Sequence, residues 1–280
     1  MGSVASAARA CDGLGVCLAG STQDCSPYVC SGNACATSCT STAQCKSGFY
    51  CSGGSCLPFG AGPALHWKLD ESGGTSALDA SGNGRVGTYV GTSGTPTAST
   101  LVPSVFFANP ASRAFAAANR HAIRLDPTPS ALKPANNITV SLWFRTTTLD
   151  SGHNPPASSE AISQGNNYFL RIRSNDIYWT RRTASGYAVC FATLSNHLDG
   201  NWHHLAGVLS PSGMKLYYDG VEKCSNGNGA SMSYTTASEL VVGRHGIGET
   251  QWDFDGNIDD VRIYTRALPA AEIAAVAAGF

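Results

Sequence analysis

Phe169, Arg171 and Arg173 occupy alternate positions of the segment 168–173, and Tyr178, Thr180 and Arg182 do so in the segment 177–182. Side chains two residues apart in a β-strand lie on the same face of a sheet. A guanidinium group binds carboxylates and sulfates with paired hydrogen bonds, and aromatic rings offer flat apolar surfaces for stacking on sugars. This pattern predicts a face that binds an acidic glycan or a polar protein surface, with a plain solvated sheet face as the alternative. The candidate ligand-binding residues are Arg171, Arg173, Tyr178 and Arg182.

Two loops, 153–156 and 244–248, are rival binding sites, because loops on a rigid scaffold often carry specificity. A glycoside hydrolase is a further alternative. Such an enzyme needs two carboxylates about 5–5.5 Å apart when it retains configuration, and a Glu-x-Asp-x-Glu strand that would supply them is absent. The nearest acidic group is Glu249 with Asp253 and Asp255, in a loop before the last strand. We therefore predict that the protein has no catalytic residues.

Eleven cysteines are present, and nine of them lie between Cys11 and Cys56. Small modules with little apolar surface are commonly held by disulfides, which persist in oxidising compartments. The protein is therefore expected to be exported. The odd count leaves either one free thiol or a partner upstream of Met1, and zinc is disfavoured because no Cys-x-x-Cys pair or nearby histidine occurs. The two distant cysteines, Cys190 and Cys224, are predicted to form a disulfide, with buried thiols as the alternative.

The composition limits the possible partners. The 280 residues are 42% hydrophobic and 13% charged, with a formal net charge of -1. No cluster of basic residues occurs, which argues against nucleic acid and anionic membranes as partners. No apolar run approaches the roughly 18 residues that a transmembrane helix requires.

The pattern divides the chain into a tail or cloning remnant (1–10), a cysteine-rich disulfide module (11–56), a Pro- and Gly-containing linker (57–63) and a β-rich domain (64–280). Short alternating runs between turn-forming residues indicate an antiparallel sandwich. A helix is predicted within 267–278, and Pro269 is suited to a first helical position. The predicted strands are 65–69, 104–107, 122–125, 138–145, 161–164, 168–173, 177–182, 188–193, 203–209, 215–218, 221–223, 239–242 and 258–264.

Three passages are similar to one known family: 66–74 with 79–84, then 199–210 (DGNWHHLAGVLS) with 213–220, and 254–268 (FDGNIDDVRIYTRAL). Together they resemble laminin-G-like domains of the concanavalin-A-like lectin and glucanase superfamily. The resemblance implies an all-β, two-sheet antiparallel jelly-roll sandwich whose first and last strands are adjacent. Trp202 is expected to start a strand and to fill the space between the sheets. Asp259, Val261 and Ile263 are expected to share one face.

The same resemblance implies a structural Ca²⁺ between the loop after the first strand and the last strand. Matched position by position, Asp259 is the ligand from the last strand, and Asp79 and Asn83 are the ligands from the loop. Calcium takes six to eight oxygen ligands, backbone carbonyls and waters included. The alternative is that Asp79 and Asn83 form an Asx turn and that Asp259 caps a neighbouring loop.

The cysteine-rich segment resembles repeats found in large secreted proteins of myxobacteria, which implies an extracellular spacer. The combined prediction is a secreted or cell-surface binding or adhesion module that recognises carbohydrate or an extracellular protein. Two other functions remain open at this point. One is a glycoside hydrolase or its accessory domain. The other is a structural subunit of an extracellular fibre that associates through the cysteine-rich module.

Overall fold

A computed structural model describes residues 10–11, 16–19, 21–31, 34–150, 158–234, 239–246 and 252–280. Four features from the sequence lie outside these residues or their described side chains: the loop 153–156, the end of the loop 244–248, Glu249 and the pairing of Cys11. In the part of the chain that is described, no helix is long and apolar enough to cross a membrane.

The N-terminal region consists of short hairpins held by disulfides. Bridges join Cys25 to Cys35, Cys39 to Cys51 and Cys45 to Cys56, and the Cys30 sulfur lies 4.0 Å from that of Cys25. The sulfurs of Cys39, Cys45 and Cys56 lie close together, but all three belong to disulfides and offer no thiolate for zinc. The strands are β1 (Ala10–Cys11), β2 (Val16–Ala19), β3 (Ser21–Asp24), β4 (Cys30–Ser31), β5 (Ala34–Cys35), β6 (Phe49–Ser52) and β7 (Ser55–Pro58), with a 3₁₀ turn at Thr42–Gln44.

The remaining strands form two antiparallel sheets. They are β8 (Leu65–Trp67), β9 (Ser76–Ala77), β10 (Gly87–Val90), β11 (Thr97–Ser99), β12 (Ser112–Phe115), β13 (Ala122–Leu125), β14 (Ile138–Arg145), β15 (Ser158–Gln164), β16 (Tyr168–Arg173), β17 (Asp176–Thr183), β18 (Gly186–Thr193), β19 (His203–Ser210), β20 (Gly213–Tyr218), β21 (Val221–Asn226), β22 (Leu240–Val242) and β23 (Gly256–Tyr264). Short 3₁₀ turns lie at Ala117–Asn119 and Ser130–Leu132.

The first sheet has the order β18-β17-β16-β15-β22-β13-β10-β9, and the second has the order β11-β12-β23-β14-β19-β20-β21, with β8 also paired to β23. The first strand of the sandwich therefore lies against the last, with Trp67 opposite Val261, as the family resemblance implies. The disulfide Cys190–Cys224 links β18 of the first sheet to β21 of the second, with the Cα atoms 5.7 Å apart. This bridge closes one open side of the sandwich.

The core lies between the sheets, and every second side chain of each central strand points into it. Val140, Leu142 and Phe144 of β14 are fully buried, and they face Leu170 and Ile172 of β16 within a single apolar cluster. Alternation of this kind is what a sheet with one buried face requires. The prediction for Trp202 was wrong. That side chain is only half-buried and precedes β19, whereas Trp67 and Trp179 are the tryptophans of the core.

A β-bulge interrupts the alternation in the last strand. The pairing of β14 with β23 shifts between Ser141 and Trp143, and Asp260 adopts φ 47°. The extra residue moves the side chains before it to the opposite face. Val261 is in the core, but Asp259 pairs with Trp143 on the outer face. The prediction that Asp259 shares a face with Val261 and Ile263 was therefore wrong.

The helix α1 (Ala270–Ala277) covers the outer face of the second sheet. Ile273 and Val276 pack there against Tyr217 and Tyr264. The helix is shorter than predicted, because Pro269 is its extended N-cap rather than its first helical residue. The predicted strand 104–107 is absent. The Phe106 N–H donates to the Gly279 carbonyl at 2.8 Å and its ring stacks on Phe280, so this segment contacts the C-terminus instead of a sheet.

Strand β19 begins with two adjacent histidines, His203 and His204, whose surroundings differ. His203 Nδ1 lies 2.9 Å from Asp219 Oδ2, and Nε2 lies 3.1 Å from Asp199 Oδ1. Burial lowers the pKa of His203, but the hydrogen bonds to Asp219 and Asp199 outweigh burial and raise the pKa above its ordinary 6.5. Burial lowers the pKa of His204 to about 4.

We expect His203 to make stability fall with rising pH. Because its pKa is higher in the folded state, protonated His203 stabilises the fold fully below pH 6.5, and this contribution disappears as the pH rises through the folded-state pKa. Urea unfolding of the wild type and of His203→Gln, between about pH 6.5 and about pH 8.5, measures the difference. His204→Gln is the control, because burial lowers the folded-state pKa of His204 below 6.5, so that its removal should not reduce the fall in stability with rising pH. Equal slopes in the wild type and His203→Gln would contradict the assignment.

Candidate ligand-binding groove

Strands β16, β17 and β18 carry the predicted face on the outer side of the first sheet. Cross-strand pairing places Arg171 beside Tyr178, and Tyr178 beside Phe191. The neighbouring row consists of Phe169, Thr180 and Val189. Leu170, Ile172 and Trp179 point the other way into the core. The period of two in the sequence therefore places these side chains on one surface.

A groove of about 360 Å³ lies on this face. It contains three of the four predicted ligand-binding residues, Arg171, Arg173 and Tyr178. Arg182 is not part of the lining. It lies opposite Tyr187 and donates from Nη1 to the Tyr187 hydroxyl at 3.2 Å. The full lining is Asn166, Phe169, Arg171, Arg173, Tyr178, Thr180, Tyr187, Val189 and Trp252.

Arg171 is tied to a carboxylate below the groove surface. Its Nε donates to Glu160 Oε1 at 3.1 Å, and its Nη2 contacts the same oxygen. Glu160 is fully buried, and its Oε2 lies 2.7 Å from His245 Nδ1. A bulge in β15 lies between Glu160 and Ile162. Because of this bulge, Glu160 lies opposite Arg171, whereas Ile162 faces the core. This cluster fixes Arg171 from beneath.

Trp252 forms one side of the groove from the loop before the last strand. The Arg171 guanidinium lies 4.3 Å from the Trp252 ring centroid and 4.8 Å from that of Phe169. The Trp252 backbone has φ 65°, a costly conformation for a residue other than glycine. Its carbonyl accepts a hydrogen bond from the Glu160 N–H at 2.8 Å, which joins the loop to β15.

Sequence reasoning did not identify Glu160 or Trp252 as site residues, and it placed His245 only in the rival loop 244–248. They come from three separate segments and converge only in the folded sheet. The predicted strand 161–164 began one residue after Glu160, whereas β15 begins at Ser158. The one available signal in the sequence was Glu160, an acidic residue beside the strand that precedes the arginine-rich strand 168–173.

The acidic group proposed for the enzyme alternative lies elsewhere. Asp253 and Asp255 line a separate pocket of about 560 Å³ with Asp150 and Arg120. Asp253 Oδ2 is 3.2 Å from Arg120 Nε. Among the residues that the structure describes, the groove lining contains two arginines and no carboxylate.

The predicted calcium ligands have different surroundings. The Asp79 carboxylate accepts backbone hydrogen bonds from His66 and Ser81 at 3.0 Å and from Arg85 at 2.8 Å. Asn83 Nδ2 donates to the Ala64 carbonyl at 3.0 Å. These bonds have the form of the Asx-turn alternative.

The Asp259 carboxylate accepts hydrogen bonds from Asn109 Nδ2 and from the Asp260 N–H, both at 2.9 Å. Within the described ranges, no hydrogen bond or ion pair joins Asp259 to Asp79 or Asn83. Burial, together with the neighbouring charges of Asp260 and Asp70, raises the pKa of Asp259 to about 8. The buried Oδ1 atoms of Asp70 and Asn109 have no hydrogen-bond partner in the described part of the chain.

Comparison with known structures shows the same fold in domains of other proteins. Domain 4 of AbnA, a GH43 extracellular arabinanase from Geobacillus stearothermophilus solved in complex with arabinotriose, is 21% identical, with a TM-score of 0.57 over 78% of this chain and 98% of that one. The botulinum neurotoxin serotype D binding domain is 19% identical, with a TM-score of 0.56 over 78% of this chain and 52% of that one. The binding domain of Paraclostridial Mosquitocidal Protein 1 is 13% identical, with a TM-score of 0.59 over 77% of this chain and 52% of that one. This chain thus spans about half of each toxin domain, and at these identities the likeness shows the fold alone.

No curated protein matches the sequence. The profile described as the concanavalin A-like lectin/glucanases superfamily matches residues 119–274. That region runs from the turn before β13 into α1 and includes all three groove strands. Since it spans more than half of the 280 residues, this protein belongs to the laminin-G-like family of the concanavalin A-like lectin/glucanases superfamily.

Proposed function

We propose that this protein is a secreted, non-catalytic carbohydrate-binding module whose ligand occupies the groove on β16–β18. The observation that carries the proposal is the groove itself, with Tyr178, Tyr187 and Trp252 in its lining beside two arginines. Sugar sites combine flat apolar surfaces with a few fixed polar groups. Tyr187 is 51% exposed and Phe191 is 54% exposed at the edge strand, and exposed large aromatic side chains next to one another are typical of binding surfaces.

Two further observations support this function. The domain of the arabinanase that shares the fold was solved with arabinotriose. The disulfides fit an oxidising compartment outside the cytosol. Catalysis is disfavoured because Glu160, the carboxylate that contacts the groove residue Arg171, is held by Arg171 and His245.

Binding to a panel of polysaccharides in affinity gels and by calorimetry tests the proposal. Tyr187→Ala is expected to weaken binding about 5- to 30-fold, the loss typical of an aromatic contact worth 1–2 kcal/mol. Phe106→Ala is the matched control, because Phe106 is 68% exposed but lies outside the groove. Binding that is unchanged in Tyr187→Ala, or release of reducing ends from a bound polysaccharide, would contradict the proposal.

We also propose a structural Ca²⁺ at Asp259, with ligands revised from those expected. Asp70 Oδ1 and Asn109 Oδ1 are buried oxygens without partners among the described residues, and Asp259 is a buried carboxylate whose electrostatic neighbours are Asp260 and Asp70. Oxygen donors of this kind suit calcium, and a cation would compensate the carboxylates of Asp259 and Asp70, whereas Asp260 is already paired with Arg262. Asp79 and Asn83 are less suited, because they are engaged in their own loop.

Added Ca²⁺ is expected to stabilise the protein, by about 2.7 kcal/mol when its concentration is 100-fold above Kd. Thermal unfolding with Ca²⁺ and with a chelator measures this difference. Asp259→Asn should abolish the stabilisation, and Asp79→Asn should retain it. An equal melting temperature with and without Ca²⁺ would exclude the site.

A further inference from the structure

The groove holds two arginines in different electrostatic states. Arg171 already has a counter-charge, because the buried carboxylate of Glu160 binds it from beneath. Its flat guanidinium lies against the rings of Trp252 and Phe169. Arg171 is thus a neutralised and immobilised part of the groove surface.

Arg173 forms no ion pair among the described residues. Its Nη1 donates to the Tyr178 hydroxyl at 2.8 Å, and its guanidinium lies 5.1 Å from the Tyr178 ring centroid. The acidic residue opposite it in the hairpin is Asp176, whose carboxylate accepts a hydrogen bond from Thr193 at 2.8 Å. In the described part of the chain, no carboxylate comes within 4.0 Å of Arg173.

Arg173 is also held in one orientation. The Tyr178 ring that supports it stacks on Phe191, with centroids 5.3 Å apart and an interplanar angle of 15°. A half-buried guanidinium that is fixed before binding loses little conformational entropy when it takes up a ligand. Its remaining donors are suited to a carboxylate, which a guanidinium binds through two parallel hydrogen bonds.

We infer that the groove selects an acidic polysaccharide, with a uronic-acid carboxylate on Arg173 and the sugar ring against the aromatic lining. The inference rests on the proposed function, because it assigns a ligand class to the same groove. Arg171 is paired with Glu160 and Arg173 is unpaired. The groove therefore carries one uncompensated guanidinium, which gives its preference for acidic ligands. Arg182 contributes little, since it lies outside the lining.

Polygalacturonic acid and its fully methyl-esterified form separate charge from sugar shape. By calorimetry at low salt, the acid is expected to bind about 10- to 100-fold more tightly than the ester, as for one charge-assisted contact. Arg173→Gln should bring binding of the acid down to that of the ester. Arg182→Gln is the matched control, because it removes a similar arginine–tyrosine pair from the same sheet, and it should retain the preference.

Equal binding of the acid and the ester by the wild type, or a preference that survives Arg173→Gln, would overturn the inference and leave the proposed function intact. Dextran sulfate is the third probe. Binding of dextran sulfate without binding of polygalacturonic acid would overturn the carboxylate assignment in favour of a sulfate. Failure of the wild type to bind any polysaccharide would overturn the proposed function as well.

Discussion

Trp179→Ala is expected to lower the free energy of unfolding of the sandwich by about 3–5 kcal/mol, the range for removing a large aromatic side chain from a core. The Trp179 ring crosses from the first sheet to the second and is fully buried. Its Nε1 donates to the Val208 carbonyl at 3.1 Å. The ring also lies directly on Gly207, where an added Cβ would come within 2.4 Å of Trp179 Cδ2. Alanine would remove both the apolar contact and the hydrogen bond between the sheets.

Denaturant unfolding followed by circular dichroism measures this effect, and Trp202→Ala is the matched control. Trp202 is half-buried and lies outside the apolar clusters of the described residues. Its removal is expected to cost about 1 kcal/mol, as for a typical substitution. Comparable losses in the two variants would show that Trp202, rather than Trp179 alone, supports the sandwich.

The two tryptophans show how far the sequence predicts this fold. The period of two located β13, β14 and β16 with their observed bounds, because their buried residues are large and alternate with polar ones. It missed Ser76–Ala77, Gly87–Val90, Thr97–Ser99 and Ser112–Phe115, which are at most four residues long and rich in small or polar residues. Which tryptophan enters the core depends on pairing between distant strands, and no local pattern records it.

The bulge at Asp260 likewise limited what the sequence could predict about the candidate cation site. A single extra residue reversed the face of Asp259, so its neighbours became Asn109 and Asp70. Local alternation predicts faces only while a strand remains regular. The groove face was predictable for this reason, since β16 and β17 pair without a break from the pair Tyr168–Arg181 to the pair Ile172–Ile177. Glu160 and Trp252 were not, because they reach the groove through a bulge and a loop.

Glu160→Leu is expected to lower the free energy of unfolding by about 3 kcal/mol. Removing one partner of a buried ion pair typically costs 3–5 kcal/mol, because the other charge loses its compensation. The lower end of that range applies here, since the Arg171 side chain is 22% exposed and water can solvate part of it. His245 Nδ1 also loses its partner. Glu222→Leu is the control: the Lys215–Glu222 pair is exposed, at 44% and 36%, and its loss should cost less than about 1 kcal/mol.

The double variant Glu160→Leu with Arg171→Met separates charge from packing. If the cost arises from an uncompensated guanidinium, removing that guanidinium should recover more than about 1 kcal/mol of the loss, measured as a coupling energy in a double-mutant cycle. A residual loss is expected from His245, whose Nε2 is also without a partner among the described residues. No recovery would mean that Glu160 supports the groove by filling space and not by holding Arg171. Glu160 would then compensate the charge of Arg171 without immobilising it, and the distinction between Arg171 and Arg173 would rest on charge alone.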